Sequence, residues 1–153
     1  MGLSPHARPF LFGRFWYLFD SSQEGRTDPS APDTRLIATW GTTDSTYRFG
    51  DRRTLRRFPL PDAGGLDRGH LIPLSAGAGD YVNLIPQNSR LNRGWSSAGK
   101  KWRALERSIV DDVGAFVFVA AYYNDETDIP DAFDYVVVHT NGRQQFHSFS
   151  NRA

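Results

Sequence analysis

The chain lacks cysteine altogether. Disulfide bonds, thiol catalysis and cysteine-ligated zinc sites are therefore excluded together, although the redox compartment stays open. Long apolar runs are also missing. The most apolar early stretch, PFLFGRFWYLF at residues 9 to 19, is interrupted by Arg14 and is shorter than the ~20 residues that a membrane span requires. It also lacks the basic leader and small-residue cleavage site of a signal peptide, so we expect a soluble chain without an ordinary export signal.

Lysine is scarce as well, because sixteen of the 18 basic residues are arginine. The planar fork of arginine suits bidentate phosphate contacts better than the point charge of lysine. A run of charge is most often a solvated surface, but clustered arginines also suit contacts with a nucleic-acid backbone. One such cluster lies upstream of the middle of the chain, with Asp51 as its single acid, and comprises Arg48, Arg52, Arg53, Arg56 and Arg57.

The hydrophobic pattern predicts a β-rich fold. Strands are expected in FLFGRFWYLFD, as buried pieces bent at Gly13, then in RLIATW, near His70, and in YVNLIPQ, where Pro86 ends the strand or confines it to an edge. Helical periodicity follows over residues 97–113, with Ser96 or Ser97 as the N-cap. Two further strand segments come after it, the second a hairpin with its turn at Asn141. The prediction is an α+β fold with a central β-β-α unit, in one domain spanning residues 1–153.

Of the four histidines, three have weak claims to a functional role. His6 lies near the N-terminus, where the chain is expected to fray. His139 and His147 flank the hairpin turn. A two-residue turn pairs position 139 with 144 and 136 with 147, which places these two histidines on opposite faces, so they should not share a metal. His70, in LDRGHLI, is either a hydrogen-bonded structural residue or a catalytic one.

Three residues that follow His70 favour the catalytic interpretation. Asn83, Asn92 and Glu106 come in order on a predicted strand, a loop and a helix. Such a set makes a poor zinc site but a plausible site for Mg²⁺, which takes oxygen ligands and retains several waters. Glu106 lies at the margin of the buried helix face, where a carboxylate is costly unless it is paired. It could also extend into solvent or pair with Arg103.

The ordered segments DRGHLIPLSAGAGDYVNLIPQNSRLNRG and KKWRALE resemble the DNA/RNA non-specific endonuclease family of the ββα-metal nuclease superfamily. The resemblance covers roughly residues 64–110. It implies that His70 is the general base and that Arg68 binds the scissile phosphate. It further implies that Asn92 ligates one divalent ion, that Glu106 ligates that ion or holds its water shell, and that Asn83 orients the histidine.

The segment departs from the family pattern at one point. The extra sequence WSSAGK lengthens the interval between Asn92 and Glu106. An insertion before a helix can be looped out, so Asn92 remains the predicted ligand, with Asn88 as a weaker candidate. The role of Glu106 is less determined by the pattern.

These observations predict a phosphodiesterase that uses Mg²⁺, or another divalent ion such as Mn²⁺, to cleave both DNA and RNA without reading sequence. The resemblance implies products with 5′-phosphate ends. A non-catalytic nucleic-acid-binding module or a partner-binding β domain would leave the ordered motif unexplained. Because an indiscriminate nuclease endangers its own cell, we expect a toxin or effector module, secreted as the C-terminal part of a larger protein and restrained by an immunity protein. An intracellular or phage nuclease is the alternative.

Overall fold

Strands dominate the computed structural model, which describes residues 7–21, 35–46 and 55–152. Two α-helices in the described part are α1, Ser89–Asn92, and α2, Ser97–Asp111, and 3-10 turns lie at Leu74–Ala76 and Tyr81–Asn83. The predicted α+β fold is confirmed. The strands are β1 Ala7–Phe12, β2 Phe15–Asp20, β3 Arg35–Thr42, β4 Leu66–His70, β5 Leu84–Asn88, β6 Phe116–Tyr122, β7 Ala132–Val138 and β8 Gln144–Ser150.

Six of the strands form one antiparallel sheet in the order β1-β2-β3-β6-β7-β8, and β4 pairs with β5 separately. The β4–β5 ribbon, α1 and α2 therefore form the inserted β-β-α unit, between β3 and β6 in the chain. Among the described residues, no helix is long and apolar enough to cross a membrane.

Helix α2 covers one face of the large sheet. The indole of Trp102 in this helix is 1% exposed and contacts the rings of Phe133, Tyr135 and Phe149 at centroid distances of 5.1 to 5.6 Å. The helix begins as predicted, because the Oγ of Ser96 accepts a hydrogen bond from the backbone N–H of the third helical residue. This packing anchors the β-β-α unit to the sheet through the apolar stripe of one helix.

The first apolar segment is only partly as expected. It does divide at Gly13, whose φ of 65° suits the turn between β1 and β2. The expectation that both pieces are buried is wrong, because β1 is an exposed edge strand and only β2 contributes to the core. Edge strands have one neighbour and need not face the interior on either side.

The last hairpin differs from the expectation by one position. Val138 pairs with Gln144, and the backbone N–H of His139 bonds to the carbonyl of Arg143, so the loop has three residues rather than two. His139 and His147 consequently share a face of the sheet, contrary to the predicted alternation. His147 pairs with Tyr135, four residues along β7 from His139, about 13 Å at the usual strand rise. That separation is too large for both rings to ligate one ion.

The outer face of the large sheet carries an apolar row across all six strands. Each member pairs directly with the next, and the two indoles stack at 6.4 Å. An aromatic ladder of this kind stabilises the sheet through cross-strand contacts. The row comprises Leu11, Trp16, Trp40, Phe118, Val136 and Phe146.

Candidate active site

His70 and Arg68 lie on the same face of β4, because side chains two residues apart in a strand point the same way. His70 is the last residue of the strand and is mostly buried, with 17% of its side chain exposed. Arg68 is exposed. One short strand thus carries an imidazole and a guanidinium side by side.

The ring of His70 is held by Asp80, an interaction absent from the sequence-based prediction. Nε2 of His70 lies 3.1 Å from Oδ1 of Asp80, which is itself buried. Burial lowers the pKa of His70, while the hydrogen bond and the charge of Asp80 oppose that shift. The low pKa of His70 therefore comes from burial of the ring.

Arg68 is anchored by the segment that carries the end of the arginine cluster. Its Nε donates to the carbonyl oxygen of Phe58 at 2.8 Å. Arg56 and Arg57, which directly precede that phenylalanine, are exposed. Two of the five predicted substrate-binding arginines therefore lie next in sequence to the contact of Arg68. The other three, Arg48, Arg52 and Arg53, lie outside the described residues.

Asn83 is hydrogen-bonded to the backbone just beyond His70. It is fully buried, and its side-chain Oδ1 accepts from the backbone N–H of Ile72 at 3.1 Å while Nδ2 donates to the carbonyl of the same residue. Its own carbonyl accepts from the N–H of Leu71 at 3.1 Å. The end of β4 is thereby fixed against the 3-10 turn that leads into β5.

Asn92, the last residue of α1, is tied to the start of β4. Its Nδ2 donates to Oδ2 of Asp67 at 3.1 Å. Nε and Nη2 of Arg93 donate to the two oxygens of the same carboxylate at 2.7 and 2.6 Å, and the hydroxyl of Ser89 donates a further hydrogen bond to it. These contacts lower the pKa of Asp67, with Arg93 as the largest cause, and keep it ionised. Since a carboxylate only accepts, it turns the amide nitrogen of Asn92 inward and leaves the amide oxygen to other partners.

Glu106 occupies the middle of α2, at the edge of its buried face. Only 14% of its side chain is exposed, and Oε2 accepts from Nη1 of Arg103 at 2.9 Å. Burial raises its pKa, whereas the charge of Arg103 works in the opposite direction. The predicted i,i+3 pair with Arg103 is thus formed, and it coexists with a mostly buried carboxylate. Asn88, the weaker ligand candidate, caps α1 with its side-chain oxygen.

The predicted residues are linked to different degrees. His70 and Arg68 share a strand face, and Asn92 reaches that strand through Asp67. Glu106 is bonded to Arg103 of its own helix, and among the described residues no hydrogen bond or ion pair joins it to His70. The sequence-based prediction missed the carboxylates Asp80 and Asp67. Both could have been sought in the sequence, because a catalytic imidazole or a ligating amide needs a hydrogen-bond acceptor that orients it.

Comparison with known proteins decides the family. The model of the DNA/RNA non-specific endonuclease family matches residues 19–153. The chain belongs to the DNA/RNA non-specific endonuclease family. It is accordingly a hydrolytic nuclease, and the family is one of metal-dependent nucleases. A search of curated proteins gave no match.

Solved structures support the fold of this family member. One, described as an extracellular endonuclease, is 17% identical with a TM-score of 0.53, and the alignment covers 99% of this chain and 85% of that one. Another, the Sda1 nuclease with a bound zinc ion, is 15% identical with a TM-score of 0.51, over 100% of this chain and 74% of that one. At such low identity the likeness establishes the shared architecture.

Proposed function

We propose that this nuclease hydrolyses phosphodiester bonds of DNA and RNA with His70 as the general base and one divalent ion at Asn92 and Glu106. The observation that carries the proposal is the contact between Nε2 of His70 and Oδ1 of Asp80 at 3.1 Å. A buried carboxylate that receives one ring N–H leaves the opposite nitrogen as the proton acceptor. An imidazole held in this way is prepared for general-base catalysis.

The proton transfer follows from this arrangement. Asp80 accepts the Nε2–H of neutral His70, so Nδ1 takes a proton from the attacking water. Burial keeps the pKa of His70 below its usual value, and the imidazole is therefore neutral and able to act as a base around neutral pH. As the water oxygen forms its bond to phosphorus, the 3′ oxygen departs.

The residues present fit a hard divalent cation. Asn92 offers an amide oxygen whose direction is set by the bond of its nitrogen to Asp67. Glu106 offers a carboxylate with one oxygen engaged by Arg103. Amide and carboxylate oxygens suit Mg²⁺ or Mn²⁺, and Mg²⁺ is commonly bound through one or two protein groups and several waters. When bound, the ion would stabilise negative charge on the phosphate and on the departing oxygen.

Arg68 supplies a positive charge for the scissile phosphate on the same face of β4 as the base. Arg56 and Arg57 extend that charge along the segment that leads to Phe58. Contacts of this type position a nucleic acid without reading its bases, in keeping with cleavage of both DNA and RNA.

The proposal is tested by digestion of plasmid DNA and of a structured RNA. We expect both to be degraded in Mg²⁺ or Mn²⁺ and to survive when EDTA is added before the metal. Restoring excess Mg²⁺ after EDTA should restore cleavage. Digestion that continues in EDTA would overturn the metal assignment, and binding without digestion under every metal condition would favour the non-catalytic binding module.

Replacement of Asp80 by Asn tests the orientation of the base. Asp80 raises the pKa of His70, so removing its charge lowers that pKa further and should move the acid limb of kcat/KM to lower pH. The asparagine amide can donate to Nε2 and favour the wrong tautomer, so the plateau rate should fall by about 10²- to 10⁴-fold. The pH–rate profile measures both effects.

The same substitution at Asp134, a partly exposed position on the distant strand β7, is the matched control and should leave the profile unchanged. An Asp80→Asn enzyme with the native plateau and the native acid limb would contradict the assignment of Asp80.

The biological setting that we propose is a toxin or effector module restrained by an immunity protein. The support is chemical, because a nuclease that does not read sequence threatens the nucleic acids of its own cell. A small acidic protein should therefore co-purify with the chain from its native source and inhibit it. Full activity in native extracts without any such inhibitor would count against this setting.

A further inference from the structure

A second basic surface, separate from the arginine cluster, lies at the corner between α1 and α2. Arg93 and Gly94 lead out of α1, and three cations on α2 face them across a cleft of about 260 Å³. Positions 100, 103 and 107 are three and four residues apart, which places them on one helix face. The cations of this corner surface are Arg93, Lys100, Arg103 and Arg107.

The corner surface retains positive charge after its internal ion pairs are counted. Arg93 is paired with Asp67 at 2.6 Å, and Arg103 with Glu106 at 2.9 Å. Within the described part of the chain, neither Lys100 nor Arg107 lies within ion-pair distance of a carboxylate, although the charge of Arg107 acts on Glu106. Four cations against two carboxylates leave two positive charges in surplus at an open cleft.

An exposed aromatic ring adjoins these charges. Trp95 is 62% exposed, the highest value among the exposed tryptophans, and the guanidinium of Arg93 lies over its ring at 4.8 Å. The cation–π contact holds the indole in place.

The backbone around Trp95 is tied to the end of α1. Its N–H donates to the carbonyl of Arg90 at 2.9 Å, and Gly94 adopts a φ of 76°. Gly99 packs so closely on the carbonyl of Arg90 that a side chain there would overlap it. The segment WSSAGK is therefore not looped out. It supplies the N-cap of α2 and its first turn, and it contributes Trp95 and Lys100 to the corner surface.

From these features we infer that the corner surface binds a single-stranded segment of the nucleic-acid substrate, with Lys100 and Arg107 on phosphates and Trp95 stacked on an unpaired base. This inference deepens the proposed function and rests on it for the identity of the substrate. Cations beside one exposed aromatic ring suit a single strand, whose phosphates pair with the cations while an unpaired base stacks on the ring. The surface adjoins Glu106, since Arg103 both lines the cleft and bonds to that carboxylate.

The test measures binding of a short fluorescent oligothymidylate in EDTA, where cleavage does not interfere. The double variant Lys100→Gln/Arg107→Gln should flatten the plot of log affinity against log salt by ~0.7 for each phosphate that the protein no longer neutralises. The matched control Lys101→Gln/Arg8→Gln removes two exposed charges elsewhere and should keep the native slope. An unchanged slope in the first variant would overturn the inference.

Trp95 is tested separately. Trp95→Ala should weaken single-strand binding on the order of tenfold, with little effect on a blunt duplex, and Trp95→Phe should retain most of the affinity. Equal reductions for the single strand and the duplex would show that the indole does not stack on an unpaired base. A site for free phosphate alone would release the oligothymidylate in competition with millimolar inorganic phosphate and would be insensitive to Trp95→Ala. Either result overturns the inference.

Binding and cleavage are read independently, which separates this inference from the proposed function. A native chain that binds as described but never cleaves would refute the proposed chemistry and leave the corner surface standing. If the native chain cleaves but the Lys100→Gln/Arg107→Gln and Trp95→Ala variants bind as it does, the proposed chemistry stands and the inference about the corner surface is refuted. A native chain that does not bind the oligonucleotide also overturns the inference.

Discussion

Replacement of His70 by Ala should lower kcat by about 10²- to 10⁴-fold, the contribution expected of a well-placed general base. The reduction should appear at every pH above the acid limb, because the native imidazole is neutral there and takes the proton of the attacking water. Burial keeps its pKa below the usual value, so the native rate should rise with pH and level off before neutrality. Plasmid nicking under initial-rate conditions with saturating Mg²⁺ is the measurement.

Two comparisons separate a catalytic defect from a structural one. His147→Ala removes a histidine from the distant strand β8 and should leave the rate unchanged. Added imidazole should restore part of the activity of His70→Ala, since the deletion leaves space beside Asp80 that a free base can enter. Thermal unfolding should first show that both chains are folded. The base assignment would then be wrong if His70→Ala nicked plasmid as fast as the native enzyme.

The second large effect is expected from Asn92→Ala. The amide of Asn92 is the predicted ligand group that is hydrogen-bonded to Asp67 of β4. Metal-ion stabilisation of developing charge is worth several kcal/mol, or a reduction of roughly 10²- to 10³-fold. Activity should recover in part at higher Mg²⁺, because weaker affinity can be offset by concentration. The measurement is the rate as a function of Mg²⁺. Asn124→Ala, at an exposed position after β6, is the control.

Asn92→Asp gives a readout that does not depend on catalysis. A carboxylate at this position would face Oδ2 of Asp67, which now accepts from the amide at 3.1 Å. Repulsion between the two carboxylates should lower Tm in EDTA, and Mg²⁺ should raise Tm by more than it does for the native chain. Equal Tm gains for both chains would argue that the ion binds elsewhere.

Much of the fold was predictable from local pattern. The three- and four-residue spacing of Trp102, Leu105 and Ile109 predicted α2 because a helix repeats every 3.6 residues. The hairpin was placed correctly by Asn141 and Gly142. Its register was not, because a two-residue and a three-residue loop fit the same letters and the choice follows from strand twist and packing.

The candidate site was likewise only partly predictable from the sequence. The ordered residues His70, Asn83, Asn92 and Glu106 were found in the sequence because their types and order specify a chemistry. The carboxylates that hold His70 and Asn92 were not predicted. Asp80 lies ten residues from His70, and Asp67 lies 25 residues from Asn92. No local rule selects one carboxylate among many at such separations.

What the sequence determined by itself was therefore the kind of fold, the helix, the hairpin and the candidate residues for hydrolysis, since these depend on local periodicity and side-chain chemistry. The tertiary structure alone decided which acceptor holds the imidazole, which way the amide of Asn92 turns, and that the WSSAGK segment forms a basic corner beside Glu106. These depend on distances between segments remote in the chain, which are set when α2 packs on the sheet and the β4–β5 ribbon closes against α1.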